Sequence, residues 1–129
     1  MFELGEDEMA IGMGQHGEAG VDRVKMRTAD ETTELMLKQL LDDLAVAQGE
    51  ELLIILNGAG ATTMMELYIV FRRLHQILKD KKIKISRSLI GEYITTQEQA
   101  GFQMLIAKMD RELLKLWDAP CDSPCIIKR

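Results

Sequence analysis

One of the two histidines of this 129-residue chain, His16, lies in a glycine-rich stretch that could do chemistry. Residues 10–20 read AIGMGQHGEAG, and their four glycines let the backbone turn tightly and come close to a ligand. A neutral imidazole nitrogen is a nucleophile near pH 7, because the unperturbed pKa of histidine is about 6.5. The residues alone leave two interpretations open, a functional imidazole on a loop or a solvated histidine in a Gly-rich turn.

The element that must position His16 is a short strand. Residues 8–13 alternate in polarity and predict that strand directly before the loop. Residues 2–4 predict a second short strand, and the turn at residues 5–7 would join the two as a hairpin. Residues 21–27, after the loop, are polar and predict a connector.

Two helices are indicated by their starts. Thr28 and Glu31, like Thr63 and Glu66, have the capping-box spacing, in which a hydroxyl and a carboxylate satisfy the first free amides of a helix. Leucines at helical spacing continue the first helix, which we expect to end at Gly49. An apolar stripe over residues 67–78 continues the second, which lysines 81–82 close.

The remaining pattern predicts three strands and a last helix. The apolar run at residues 52–56 fits a strand buried on both faces. Residues 83–90, ended by Gly91, and residues 101–109 predict two more strands. Asp110 is placed to cap a short helix over residues 111–117, which Pro120 stops.

This order predicts an α/β fold with a mixed β-sheet covered by helices, in one domain over residues 1–129. The strands at 52–56 and 83–90 are separated by a helix, which favours a right-handed parallel crossover. The hairpin at the start of the chain would supply an antiparallel edge.

Other residues with chemical potential have a structural interpretation beside the functional one. The turn at residues 57–62 precedes a helix N-terminus, where anions bind, but it lacks both the third glycine of a dinucleotide fingerprint and a P-loop lysine. A tight strand-to-helix turn is the simpler interpretation. His75 fits a surface or half-buried structural role, and Glu98 fits a solvated loop acid or a contact to a partner.

The glycine-rich stretch resembles a segment of known enzymes. GMGQHGEAG at residues 12–20 is similar to the GxGIHGEPG segment in the substrate-binding K subunit of dihydroxyacetone (glycerone) kinases. Four further matches follow in the same order: NGAGAT with ELY at 57–62 and 66–68, RSLIG at 87–91, TT with AGF at 95–96 and 100–102, and LWDAP at 116–120. The resemblance covers essentially the whole chain and corresponds to the second half of the K subunit.

The resemblance implies a role for the loop. His16 would add to the carbonyl carbon of dihydroxyacetone and hold the substrate as a hemiaminal, which excludes glycerol because glycerol has no carbonyl. Gly14 and Gly17 would leave room for the ligand on either side of the imidazole. The chain departs from the family pattern at Gln15, where an apolar residue is usual, at Ala19, where proline is usual, and at Ala10, where glutamate is common.

The resemblance also implies partners. No cofactor and no metal are expected in this chain, because the family keeps ADP or ATP with Mg²⁺ on a nucleotide-binding L subunit. The phosphoryl group would come from ATP or from a phosphoenolpyruvate-dependent phosphotransferase relay. The N-terminal half of the K subunit would complete the site, so we expect this chain to be inactive as an isolated half. That half would also cover the sheet edge next to Phe2, so we expect the isolated chain to hide this face by self-association as a homodimer. The alternative function is a non-catalytic dihydroxyacetone sensor that co-activates a transcriptional regulator.

Composition bounds the remaining possibilities. A net charge of −5 argues against nucleic acid and anionic membranes as partners, and the lysines at residues 79–84 fit a solvated helix end. No apolar run reaches the ~20 residues needed to span a bilayer, and no secretory leader is visible. We therefore expect a cytoplasmic protein in which Cys121 and Cys125 are a reduced pair.

Overall fold

The computed structural model of the chain describes residues 4–13, 22–124 and 126–128. It contains three helices and seven strands within those residues. In chain order they are β1 (Glu8–Ile11), β2 (Asp22–Lys25), α1 (Ala29–Asp43), β3 (Glu51–Gly58), α2 (Met64–Asp80), β4 (Lys84–Gly91), β5 (Phe102–Lys108), α3 (Arg111–Asp118), β6 (Cys121–Asp122) and β7 (Ile127–Lys128).

The centre of the fold is a three-stranded mixed sheet in the order β4-β3-β5. β3 and β4 are parallel and connected by α2, whereas β3 and β5 are antiparallel. The predicted α/β fold with a mixed sheet is thus confirmed, as are the parallel pairing of the strands on either side of α2 and the strand after residue 101.

The hydrophobic core lies between one face of this sheet and the helices α1 and α2. From β3, Leu52, Ile54 and Leu56 are fully buried, and they pack in one cluster with residues of both helices, among them Leu37 and Leu74. At about 25 cal/mol per Å² of apolar area, such burial is the main stabilising term of the fold. Leu53, on the opposite face of β3, is only 5% exposed, which confirms a strand covered on both faces.

The opposite face of the sheet is covered in part by α3. The carboxylate of Asp118 accepts hydrogen bonds from the guanidinium of Arg87 on β4, and these bonds lower the pKa of Asp118. Leu53 and Trp117 line a cavity of about 380 Å³ between the sheet and α3. Leu105 of β5, on the same face, remains 50% exposed.

All three predicted helix starts are confirmed. The Thr28 and Thr63 hydroxyls accept from the amides of Glu31 and Glu66, whose carboxylates accept from the cap amides in return. These hydrogen bonds to the threonines lower the pKa values of both glutamates. Asp110 caps α3 by accepting from the amide of Leu113 at 2.8 Å.

The prediction for the first hairpin is wrong in three respects. Leu4 is not in a strand, and Phe2 lies outside the described residues. The partner of β1 is β2, which occupies most of the segment predicted to be a connector. The hairpin forms a separate two-stranded sheet, and the antiparallel strand of the mixed sheet is β5. The β2 sequence DRVK has one apolar residue, so backbone hydrogen bonds rather than a buried face define this strand.

Gly49 does not end α1, contrary to the prediction. The helix stops at Asp43 and closes in a Schellman motif in which Ala45 takes the left-handed conformation, at φ 47°. The Val46 amide donates to the Leu41 carbonyl, as that motif requires. Gly49, at φ 88°, lies in the turn before β3. The short pair β6–β7 near the C-terminus was not predicted either.

Candidate functional site

The residues predicted to bind substrate, His16, Gly14 and Gly17, lie outside the described residues. The structure describes the two strands that carry their loop. Ile11 and Asp22 are opposed partners in the β1–β2 ladder, so residues 12–21 form the connection of a hairpin. The ends of that connection are therefore fixed next to each other by strand pairing.

The hairpin is anchored at its base and against α1. The Met26 amide donates to the Asp7 carbonyl at 2.7 Å, and the Gly5 amide donates to the Glu8 carboxylate at 2.9 Å. The Thr32 hydroxyl of α1 lies 3.9 Å from the sulfur of Met9 on β1. Ile11, the last residue of β1, is only 4% exposed. These contacts give the loop a scaffold of ordered structure, as binding loops require.

A second group of polar residues lies at the carboxyl end of β3, around the buried side chain of Asn57. Its carbonyl oxygen accepts from the amides of Tyr93 at 2.8 Å and Ile94 at 2.9 Å. Its amide group donates to the Ile94 carbonyl at 2.6 Å and to Gln103 Oε1 at 2.9 Å. The Asn57 side chain thereby joins β3 to β5 and to the segment that follows β4.

The backbone groups of the turn after Asn57 are hydrogen-bonded within the chain. The amides of Ala59 and Ala61 donate to the carbonyls of Gly101 and Gln99. Gly60 has φ 117°, and a Cβ there would lie 2.3 Å from the backbone oxygen of Thr96. The Thr63–Glu66 capping box satisfies free backbone amides at the start of α2. These groups are engaged within the chain, so the structure favours the tight strand-to-helix turn over an anion site.

Ligands of open α/β sheets bind at the carboxyl ends of the strands. In this chain two side chains cover that edge. A Cβ on Gly58 would lie 2.0 Å from the carboxylate of Glu92, and a Cβ on Gly91 would lie 2.9 Å from the ring of Tyr93. Burial, followed by the proximity of Tyr68, raises the pKa of Tyr93. Glycine at positions 58 and 91 makes this close approach possible.

The other predicted residues lie apart from one another. Glu98 is exposed in the segment after β4, at φ 56°. Cys121 is a free, exposed thiol on β6, and Cys125 lies outside the described residues. His75 is exposed on α2, with its ring 6.4 Å from that of Phe71. Over residues 4–13, 22–124 and 126–128, no three histidine, cysteine or acidic side chains are grouped as a metal site would require.

The sequence analysis did not predict the cavity between α2 and the start of β4. This cavity has a volume of about 460 Å³, and its lining residues include His75 and Lys84. The lysine-rich segment at residues 79–84 was its only sequence signal. Within the described part of the chain, no helix is long and apolar enough to cross a bilayer.

The chain is similar to a known family and to known proteins. The model of the Dak1 domain matches residues 1–125. The dihydroxyacetone-binding subunit DhaK of PTS-dependent dihydroxyacetone kinase 2 from Listeria innocua is 37% identical over 124 residues, which cover 96% of this chain and 38% of that subunit. The L-erythrulose kinase of Pectobacterium atrosepticum is 35% identical over 132 residues, covering 99% of this chain and 22% of the kinase.

Solved structures agree on the fold. The structure described as the dihydroxyacetone kinase operon co-activator Dha-DhaQ superimposes with a TM-score of 0.82 over 92% of this chain and 38% of its own, at 24% identity. This chain thus spans less than two fifths of the length of these two relatives and of this structure. The family match over residues 1–125 is nevertheless nearly complete, and the chain belongs to the Dak1 family, as a dihydroxyacetone kinase K-subunit-type domain.

Proposed function

We propose that this chain is the substrate-binding part of a dihydroxyacetone kinase and that it holds dihydroxyacetone covalently through His16. The observation that carries the proposal is the Dak1 match over residues 1–125, together with 37% identity to a subunit named as dihydroxyacetone-binding. The anchoring of β1 and β2 supports it, because a nucleophile needs a loop whose ends are fixed.

The covalent step is an addition without a leaving group. The lone pair of an imidazole nitrogen of His16 forms a bond to the carbonyl carbon, and the π electrons of the carbonyl move to its oxygen. That oxygen gains a proton and the imidazole loses one, so the hemiaminal is neutral. A terminal hydroxyl of the bound triose is left free to accept a phosphoryl group. Glycerol cannot react in this way, which gives selectivity for ketoses.

The phosphoryl donor belongs to partners in this proposal. ADP or ATP with Mg²⁺ would be carried by an L-type subunit, and the remaining part of a K-type subunit would supply further substrate contacts. This chain alone, supplied with dihydroxyacetone and MgATP, should phosphorylate at the background rate. Turnover without any added subunit would contradict this division of labour. The expected homodimer stays a prediction, which sedimentation at micromolar protein concentration tests.

The adduct is best tested with dihydroxyacetone labelled with ¹³C at its carbonyl carbon. On addition of protein, the labelled carbon should move from the ketone region of the NMR spectrum to that of a tetrahedral carbon, and His16→Ala should abolish the new signal. His75→Ala is the matched control, because it removes the other histidine and should leave the signal unchanged. An adduct of equal occupancy in His16→Ala would refute the assignment, and labelled glycerol should give no new signal.

A second candidate is a sensor that binds the triose without phosphorylating it. The departures of the loop from the family pattern at Gln15 and Ala19 favour this candidate. Both functions require the His16 adduct, so activity must separate them. In an assembly with an L-type subunit and the rest of a K-type subunit, a kinase should turn over, and Gln15→Ile with Ala19→Pro should raise the rate. An adduct without turnover in either form would identify the sensor.

A further inference from the structure

The cavity between α2 and β4 has an apolar floor. Leu78 and Ile83 are buried there, at 0% and 6% exposure, and Phe71 and Ile85 flank them. The cavity lies beside β4, which is an edge strand of the mixed sheet. We call it the basic groove, because three lysines lie on its rim.

The rim is formed by His75, Lys79, Lys82 and Lys84, all of which are exposed. The ammonium group of Lys84 lies 2.9 Å from the carboxylate of Glu51, yet the Lys84 side chain is 67% exposed. Among the described residues, no carboxylate forms an ion pair with Lys79 or Lys82. The ammonium groups of the rim are therefore largely available to a ligand.

This positive charge is local. Four lysines and one aspartate give residues 79–84 a net charge of +3, which leaves −8 on the rest of a chain whose total is −5. An acidic partner is attracted to the basic groove and repelled by the remainder of the chain. Like-charge repulsion away from the site is a recognised source of orientation and specificity in binding.

Lys82 takes a backbone conformation that lysine disfavours. It follows the last residues of α2 at φ 54°, the left-handed position of a Schellman motif, where glycine is the usual residue. Its amide donates to the Lys79 carbonyl, and the Ile83 amide donates to the Leu78 carbonyl, which completes the motif. The chain thus places a strained cationic residue at the rim, and strain of this kind is often found at functional positions.

The donors of the groove suit carboxylates rather than a phosphate. Lysine ammonium groups bind phosphate as well as carboxylate, and phosphate sites commonly add free backbone amides or the fork of an arginine to them. Here the amides of Lys81, Lys82, Ile83 and Lys84 all donate to carbonyls within the chain, and the rim has lysines but no arginine. Flexible ammonium groups beside an apolar floor match an acidic chain that also carries an apolar side chain.

We infer that the basic groove is a docking site for an acidic segment of a partner protein. In this site an apolar side chain of the segment lies on Leu78 and Ile83, while flanking carboxylates pair with Lys79, Lys82 and Lys84. The described residues that line the groove lie within residues 71–85, and the inference uses no property of His16. We therefore expect His16→Ala to leave peptide binding intact, and a failure of this inference would not bear on the function proposed above.

A fluorescent peptide in which glutamates flank one leucine and one phenylalanine provides the probe. Its binding to the 129-residue chain is followed by anisotropy at low and high salt, and the site is mapped by shifts of backbone amide signals. We expect binding that weakens with salt, amide shifts confined to residues 71–85 and weaker binding when both apolar residues of the peptide become alanine. Absence of binding at low salt would overturn the inference.

Lys82→Gly is the informative variant, because it removes a rim charge and relieves the backbone at once. It should weaken peptide binding about two- to five-fold, as for one exposed ion pair, while the protein becomes no less stable. Ala45→Gly gives the same backbone relief at the end of α1, and Lys115→Gln removes a charge on α3; neither should change affinity. The docking site would be overturned if Lys115→Gln weakened peptide binding as much as Lys82→Gly does. It would also be overturned if inorganic triphosphate bound as tightly as the peptide.

Discussion

Replacing Asn57 with alanine should destabilise this protein more than any other single polar substitution at the end of β3. The substitution removes four hydrogen bonds and leaves the amides of Tyr93 and Ile94 without their acceptor. Asn57 is 6% exposed, so water cannot easily replace its side chain. An unsatisfied buried donor costs about 1–3 kcal/mol, and the four bonds together suggest a loss of about 3–5 kcal/mol.

Urea titration followed by circular dichroism measures the free energy of unfolding for this test. A chain of 129 residues has a stability of about 6–19 kcal/mol at the usual value per residue, so the variant should still fold. Gln103→Ala is the control, because it removes one partner of Asn57 and should cost only about 1 kcal/mol. A loss below about 1 kcal/mol for Asn57→Ala, or a loss equal to that of Gln103→Ala, would refute the reasoning.

Three further predictions concern the same parts of the fold. Gly60→Ala should lower the free energy of unfolding by several kcal/mol, because φ is 117° and the new Cβ would meet backbone atoms. Gly58→Ala should lower it much less, because the new Cβ displaces only the flexible end of Glu92. Thermal unfolding of both variants tests this order. Lys82→Gly and Ala45→Gly should each raise the free energy of unfolding by about 0.5–1 kcal/mol, and a loss in either would contradict the left-handed assignment. The hydrogen bonds from Thr63 lower the pKa of Glu66 below 4.5, so they stabilise the fold above that pH, and this contribution is lost as the pH falls through the lowered pKa. In Thr63→Ala, the free energy of unfolding should therefore fall less steeply as the pH is lowered below 4.5. If urea titrations give the same pH dependence for this variant and the unsubstituted chain, the role of the cap is refuted.

Local sequence determined the elements whose signals lie within a few residues. The spacing of Thr28 with Glu31 and of Thr63 with Glu66 fixed two helix starts, because a capping box needs only one turn of backbone. The uninterrupted apolar run of β3 fixed the central strand. The same locality favoured a tight turn after Asn57, and the structure agrees.

Elements without a local signal were decided by partners elsewhere in the chain. β2 is a strand because β1 lies beside it, although its own side chains are mostly exposed. Ala45 and Lys82 end their helices in a conformation whose usual signal is glycine, so the sequence pointed to Gly49 instead. The residues that follow them, Val46 and Ile83, pack with the hydrophobic core, and this burial favours the turn that each helix makes at its end.

The same division applies to the sites. The sequence singled out His16 by its neighbours along the chain, and the structure adds the paired strands that hold its loop. It could not show that Asn57 bonds Ile94 and Gln103, which lie 37 and 46 residues away, or that lysines 79, 82 and 84 border one apolar groove. The Asn57 bonds require β5 and the segment after β4 to lie beside β3, and the groove requires α2 to pack beside the start of β4. Both arrangements depend on tertiary packing, because each brings together residues that are far apart in the sequence or in different elements.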